Sequence, residues 1–317
     1  MTDFAVEKYT LRGLLKQMLS MRALKRTLPS LMFKRGEPLY LSVAVHTEHV
    51  HDAAIFRDMA DFGKQLPFRA AAFVMTPRSA IIAKEMSENG VSEEDFSGRL
   101  KALGEIYDIG LHGHYCRPRP AGAAKYEPAD WLVKAGFEQT SDLPLEIREQ
   151  FAAEYDYLCG TTGRPRIYSG GWWFMNETVV SLLEEFGLRA DCSLRRGYAD
   201  SFGNRYLPVR AMPGRGRPFI LPPSKEVVEF PSTAYLYEDW WRLVRELAPL
   251  LAGSGGPRFA VLPAHDHNIT EYGGKMLENI RLLSNIRNVR FVPFPRMREL
   301  ALEAGAVDKV SPFQERP

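Results

Sequence analysis

The segment Leu41–Asp52, LSVAVHTEHVHD, decides how the chain is read. Leu41, Val43 and Val45 alternate with small residues, the pattern of a strand. Directly after them, His46 to Asp52 hold three histidines, a glutamate and an aspartate. Ligating side chains crowded at the end of a buried strand suit a parallel α/β architecture. There the carboxyl ends of the strands share one face, where sites are built.

Two other places repeat the pattern. His112 and His114 follow the strand-like Asp108–His112, and His265 and His267 follow Phe259–Pro263. All 7 histidines of the chain fall in these three places. A lone histidine is more often a surface or core residue than a ligand, but this shared address at strand ends points to a metal or acid/base site.

The rest of the chain supplies the frame. Strands are expected at Leu39–Val45, Ala70–Met75, Asp108–His112, Arg166–Ser169, Leu188–Asp191, Glu226–Phe230, Phe259–Pro263 and Val289–Val292. Helices are expected at Asp52–Gln65, Arg78–Gly90, Phe96–Leu103, Pro144–Cys159 with Gly160 as its stop, a helix capped by Asn176 running through Phe186, Glu238–Leu251, Tyr272–Ile286 and Pro295–Ala304. Strand and helix alternate roughly seven times, which suits a distorted (β/α)7-type barrel over residues 38–305. An N-terminal basic helical extension, 1–37, precedes it and a tail, 306–317, follows. The Gly-, Pro- and Arg-rich stretch from Arg195 to Pro223 reads as a long loop over the active face.

Composition narrows the class. With 317 residues, 45% hydrophobic and 25% charged, the chain builds a core without staples, and its 3 cysteines are too few for a disulfide framework. A net charge of +2 calls for no nucleic acid. Residues 1–36 hold eight Lys/Arg against two Asp/Glu, a net of +6, so the remainder carries −4. Within them, 5–26 has helical period, with Leu11, Leu14, Leu15 and Met18 on one side. Such a helix covers the bottom of the barrel or makes peripheral contact with an anionic membrane. No apolar run reaches the ~20 residues of a membrane span, and no secretory h-region opens the chain. A cytoplasmic protein is expected.

The spacing fits a metal. On a strand, residues i and i+2 face the same way. His112 and His114 therefore share a side across Gly113, as do His46 and Glu48 across Thr47. Two imidazoles and a carboxylate make an open site for a divalent ion such as Zn²⁺, which brings the pKa of bound water towards ~7. His265 is placed to act as general acid. Cys116, four residues after His112, is a rival ligand to His114; its plainer reading is a buried, inert thiol.

From Leu39 to Phe294 the chain resembles the polysaccharide deacetylase family (carbohydrate esterase family four). That family has a distorted β/α barrel with one metal, usually zinc, bound by an acid and two histidines. Its first motif, two acids at a strand end, resembles His46-Thr47-Glu48, so the resemblance assigns Glu48 to the metal and His46 to the place of the basic aspartate. Its second motif resembles EIYDIGLHGHYC, which assigns His112 and His114 to the metal. RIYSGGWWFMNETVV resembles its third, with Tyr168 where an arginine is usual, and VLPAHDHN its last, whose acid is matched by His265. A histidine base needs no cationic partner, so the two departures are mutually consistent, although they also suit a relative that binds without turnover.

Trp172 and Trp173 offer indole faces to a sugar ring or pack as structure; being adjacent, they are expected to point opposite ways. With Tyr168 and His267 they form the expected substrate-binding set. The resemblance implies a metal-dependent hydrolase removing an N-acetyl or similar acyl group from a saccharide. A cytoplasmic address favours a small, nucleotide-linked or lipid-linked saccharide of surface-glycan biosynthesis. The rival readings are a degenerate saccharide-binding relative and a hydrolase of a non-sugar, non-peptide C–N bond.

Overall fold

The computed structural model describes residues 37–119, 136–140, 143–195, 214, 216–253 and 255–310. The expected basic helix at 5–26, and residues 196–213 of the expected loop, lie outside them. The chain runs β1 (Leu39–Thr47), α1 (Ala53–Lys64), β2 (Ala71–Val74), α2 (Ala80–Glu88), α3 (Glu93–Gly104) and β3 (Asp108–Gly113). A small hairpin follows, β4 (Cys116–Pro118) with β5 (Phe137–Gln139), then α4 (Pro144–Thr161), β6 (Ile167–Gly170), a 3₁₀ turn (Gly171–Trp173) and α5 (Glu177–Phe186). Next come β7 (Ala190–Asp191), β8 (Phe219–Ile220), β9 (Val228–Glu229), α6 (Trp240–Leu251), β10 (Arg258–His265) and α7 (Asp266–Ser284). The described chain ends with β11 (Val289–Phe291), α8 (Phe294–Glu303) and β12 (Asp308–Lys309).

The sheet order β10-β1-β2-β3-β6-β7-β9 is parallel throughout. After β9 the chain bends back onto β10, the other end of that order. Ser232 bridges both Arg195 and Val261, and the Thr233 amide donates to the Val261 carbonyl at 2.9 Å. Seven parallel strands thus curl into a barrel closed near its carboxyl end. β8 and β12 extend from β9, so the sheet takes in residues beyond 305.

Local chemistry fixes the element ends. The Asp52 carboxylate accepts from the amides of Ala54 and Ile55 and starts α1. The Asn176 side chain does the same for α5, which Gly187 ends in the left-handed conformation at φ 80°. Gly160 does not stop α4: the helix continues to Thr161, and Gly163 takes the positive φ. α7 begins at once after His265, six residues before the expected Tyr272. Arg217, from the basic stretch, is tied to Asp308 at 2.6 Å.

Alternation sorts each strand between two cores. Ala44, Phe73, Ile167, Ala190, Cys192, Val228, Phe230, Phe259 and Val261 face the barrel interior, with Phe294, Met297 and Ala301 of α8 packed against them. Their neighbours Val43, Val45, Leu111 and Tyr168 face the helices. Gly110 is inward, where a Cβ would lie 2.6 Å from Ile167 and 2.7 Å from Phe73. Further along the strands, the inward positions are His46, His112 and Ser169, each two residues on, and His265, four residues beyond Val261. The apolar interior is therefore topped by a layer of imidazoles.

Phe294 meets Phe73 and Phe230 at centroid distances of 5.7 and 5.6 Å. Phe294→Ala is expected to cost about 3–5 kcal/mol. In urea denaturation the midpoint should fall with an unchanged slope.

Candidate active site

Register brings the histidines together. His46 at the end of β1 pairs with His265 at the end of β10, and His112 on β3 pairs with Ser169 on β6. The imidazoles then form one continuous chain of contacts. Ring centroids lie 5.8 Å apart for His51–His49, 5.5 Å for His49–His267, 5.2 Å for His267–His265 and 5.1 Å for His265–His46. His46–His112 and His112–His114 both lie at 4.7 Å.

At one end of this chain sit Glu48, His112 and His114. Nε2 of His112 and of His114 are 3.0 Å apart, and each is 3.3 Å from Glu48 Oε1. The His112 ring donates from Nδ1 to the Ser169 carbonyl at 2.7 Å. A carbonyl only accepts, so Nδ1 carries a proton, and in the neutral ring Nε2 is then a lone pair directed at His114 and Glu48. Burial pushes the Glu48 carboxyl up, but the His112 and His114 rings facing it outweigh that and hold it well below the usual carboxylate range. Two buried imidazole nitrogens and the carboxylate oxygen of half-buried Glu48, clustered together, form a donor set that fits a divalent cation.

Cys116 is not among these atoms. It starts β4, is buried, and burial pushes its thiol up to about 12, so it is an inert packing residue.

His46 and His265 flank the trio. Burial, with the like charges of His112 and His265, holds the His46 imidazole well below its ordinary value, so it is neutral. Its Nε2 lies 3.2 Å from Ser169 Oγ. Burial also lowers His265. His267 stacks on the outer side of His265 and is 48% exposed. His51 lies apart from the trio, 3.6 Å from Glu85 on α2.

The two tryptophans do not point opposite ways: both reach the histidines. Trp172 meets the His114 ring at 4.3 Å and Trp173 meets His46 at 5.8 Å. Both hold positive φ, 54° and 60°, which costs non-glycine residues energy. The turn passes so close that a Cβ on Gly171 would lie 2.1 Å from the His114 ring.

Tyr168 is not at the site. Between inward Ile167 and Ser169 it faces outward, fully buried, its hydroxyl 2.8 Å from that of Tyr115. The residue that reaches inward from this strand is Ser169, which alternation marks and the motif comparison passes over.

Acids outside the motifs brace the ligands. The Gln150 amide donates to the His114 carbonyl at 2.9 Å and to Glu154 at 2.8 Å. Burial pushes Glu154 up to about 7 against hydrogen bonds from Gln150 and Thr76. Behind Ser169, Ser193 accepts from the Gly170 amide at 2.6 Å and donates to Asp191. Asp191 pairs in register with Glu229, and both are fully buried. Burial pushes Asp191 up to about 6 and Glu229 well above its ordinary value, which favours the protonated form of the pair.

The fold and the site define a class: a parallel β/α barrel with an imidazole–carboxylate centre at the carboxyl ends of its strands. Solved structures share the fold. A protein assigned as a polysaccharide deacetylase from Mycobacterium smegmatis superposes with a TM-score of 0.56 at 15% identity, over 89% of this chain and 95% of that one. The 4-alpha-glucanotransferase from Thermococcus litoralis matches at 0.54 and 12% identity, over 87% of this chain and 42% of that one. The PuuE allantoinase matches at 0.51 and 12% identity, over 84% and 90%. No family model matches the chain, and no curated protein matches it in sequence.

Two outcomes follow from this geometry. Gly171→Ala should force the His114 ring aside, so that a divalent cation held by Glu48, His112 and His114 would bind at least tenfold more weakly in a chelator competition while the far-UV spectrum is unchanged. The Asp191–Glu229 pair favours the protonated form in the fold. Its contribution is complete below the ordinary carboxylate range and is lost as pH rises through about 6, with about 3 kcal/mol at stake for the Asp191 shift. Glu229→Gln, whose amide supplies the donor at every pH, should flatten that loss in urea denaturation between pH 4.5 and 8.

Proposed function

We propose that the chain is a hydrolase removing an N-acetyl or similar acyl group from a saccharide, with Glu48, His112 and His114 holding a divalent cation, zinc before others. What supports this most is the His112 Nε2 lone pair, fixed by its partner at Nδ1 and directed at a second imidazole nitrogen 3.0 Å away and a carboxylate. The barrel fold shared with a polysaccharide deacetylase supports the same reading. A divalent cation supplies positive charge that acidifies water and polarises an acyl carbonyl.

The protein's own groups do the rest. Neutral His46 accepts the proton of water as its oxygen adds to the acyl carbon. The proton taken by His46 passes to His265, whose ring lies 5.1 Å away on the neighbouring strand, and His265 delivers it to the departing nitrogen as the C–N bond breaks, so amide and water become acid and amine. Trp172 and Trp173 wall the centre and offer indole surface to a sugar ring. His267 at the rim reaches a substrate hydroxyl.

The cysteines are all unpaired, in keeping with a reducing, cytoplasmic address. No described helix is long and apolar enough to cross a membrane. A nucleotide-linked or lipid-linked saccharide of surface-glycan synthesis fits, and the basic N-terminal segment favours the lipid-linked form and peripheral membrane contact. The allantoinase among the structures of like fold supports a second reading, hydrolysis of a non-sugar C–N bond such as a ureide.

Acetate release from a panel of N-acetylated sugars, run beside ureides, separates the two readings. Release from sugars that a chelator abolishes is the expected result. His112→Ala should lose the metal. His265→Ala should keep it and lose ~10²–10⁴ in rate. A His265→Ala protein as active as the parent excludes the proposed acid.

A further inference from the structure

A second group of ligating atoms lies beside the first: His49, Asp266 and His267. Its centre is Asp266, the first residue of α7, with no exposed surface. Its Oδ2 accepts from the amides of Glu48 at 2.8 Å and His49 at 2.6 Å. Oδ1 accepts from the His267 amide at 2.8 Å and the His49 ring at 2.8 Å. A carboxylate offers about four lone-pair sites, and four N–H groups occupy them. Asp266 has none left for a cation, so this group is not a second metal centre.

We propose instead that Asp266 is a positioning residue for the metal ligand Glu48. This rests on the reading of Glu48, His112 and His114 as a cation site. β1 ends at Thr47, so the next two amides have no place in the strand ladder. Left free, they would let the Glu48 backbone turn. Asp266 holds both at once, and it stands directly after His265, whose strand is in register with β1. One carboxylate therefore locks the segment bearing the metal acid to the strand bearing the proposed proton donor. The His267 amide is one of the donors a helix start leaves unpaired, and an acid in that first turn is favoured by the helix dipole. The arrangement needs a carboxylate. An asparagine keeps one acceptor oxygen and sets an N–H group against two of the donors.

The test is zinc affinity of the full chain, by competition with a chromogenic chelator, beside the thermal midpoint. Asp266→Asn should weaken zinc binding about 10–100-fold in protein that is still folded at the assay temperature. A merely structural role would lower the midpoint and leave the affinity of the folded protein unchanged, and that result overturns the proposal. If Asp266→Asn does not fold, Asp266→Glu decides. It keeps the charge but carries the oxygens one methylene away from the two amides, so affinity should still fall; unchanged affinity overturns the proposal. Wild-type protein that binds no zinc overturns this proposal together with the cation reading. Wild type that binds, with a variant that binds equally, overturns this one alone.

Discussion

Three electron-rich atoms, two of them on buried imidazoles, held within reach of one another are the constraint around which this molecule is organised. His112 spends its ring proton on the Ser169 carbonyl, so its other nitrogen confronts His114 and Glu48 with a lone pair. One proton on His114 serves one of those two neighbours and leaves the other contact repulsive. A divalent cation would serve all three. Burial of such a set is costly without a compensating charge, and the surrounding barrel is what prevents the three groups from moving apart.

That barrel does its work through register. Parallel strands end at one level, and alternation decides which side chain at each end turns inward. The apolar interior built from Ala44, Ile167 and Val261 rises in two-residue steps to His46, Ser169 and His265. The tryptophan turn, the Gln150–Glu154 brace and the Asp191–Glu229 pair support this layer from different sides. Each of the buried acids has a different environment: Glu48 held ionised, Glu154 and Asp191 pushed towards neutrality.

Much of this was legible in the chain. Alternating apolar runs followed by histidines marked the strands and the face on which they end, because period two and burial act locally. The trio of Glu48, His112 and His114 was legible from i, i+2 spacing once a strand was assumed. Tyr168 was misplaced because motif alignment was followed where alternation pointed to Ser169. Asp266, Glu154 and Glu229 were not legible. Their roles depend on partners many residues away, and nothing in a short window tells a buried acid with four donors from a solvated one. The start of α7 was hidden for the same reason, since its first turn is polar in sequence and only Asp266 of its polar residues becomes buried.

The backbone at Trp172 and Trp173 has a cost of its own. Two consecutive bulky residues in the left-handed region are a conformation glycine would adopt without strain. A chain selected only to persist would carry glycine at both places and be sturdier for it. This one spends that margin to set two indoles against its imidazoles, so a strained stretch of main chain is also the wall beside the histidine layer.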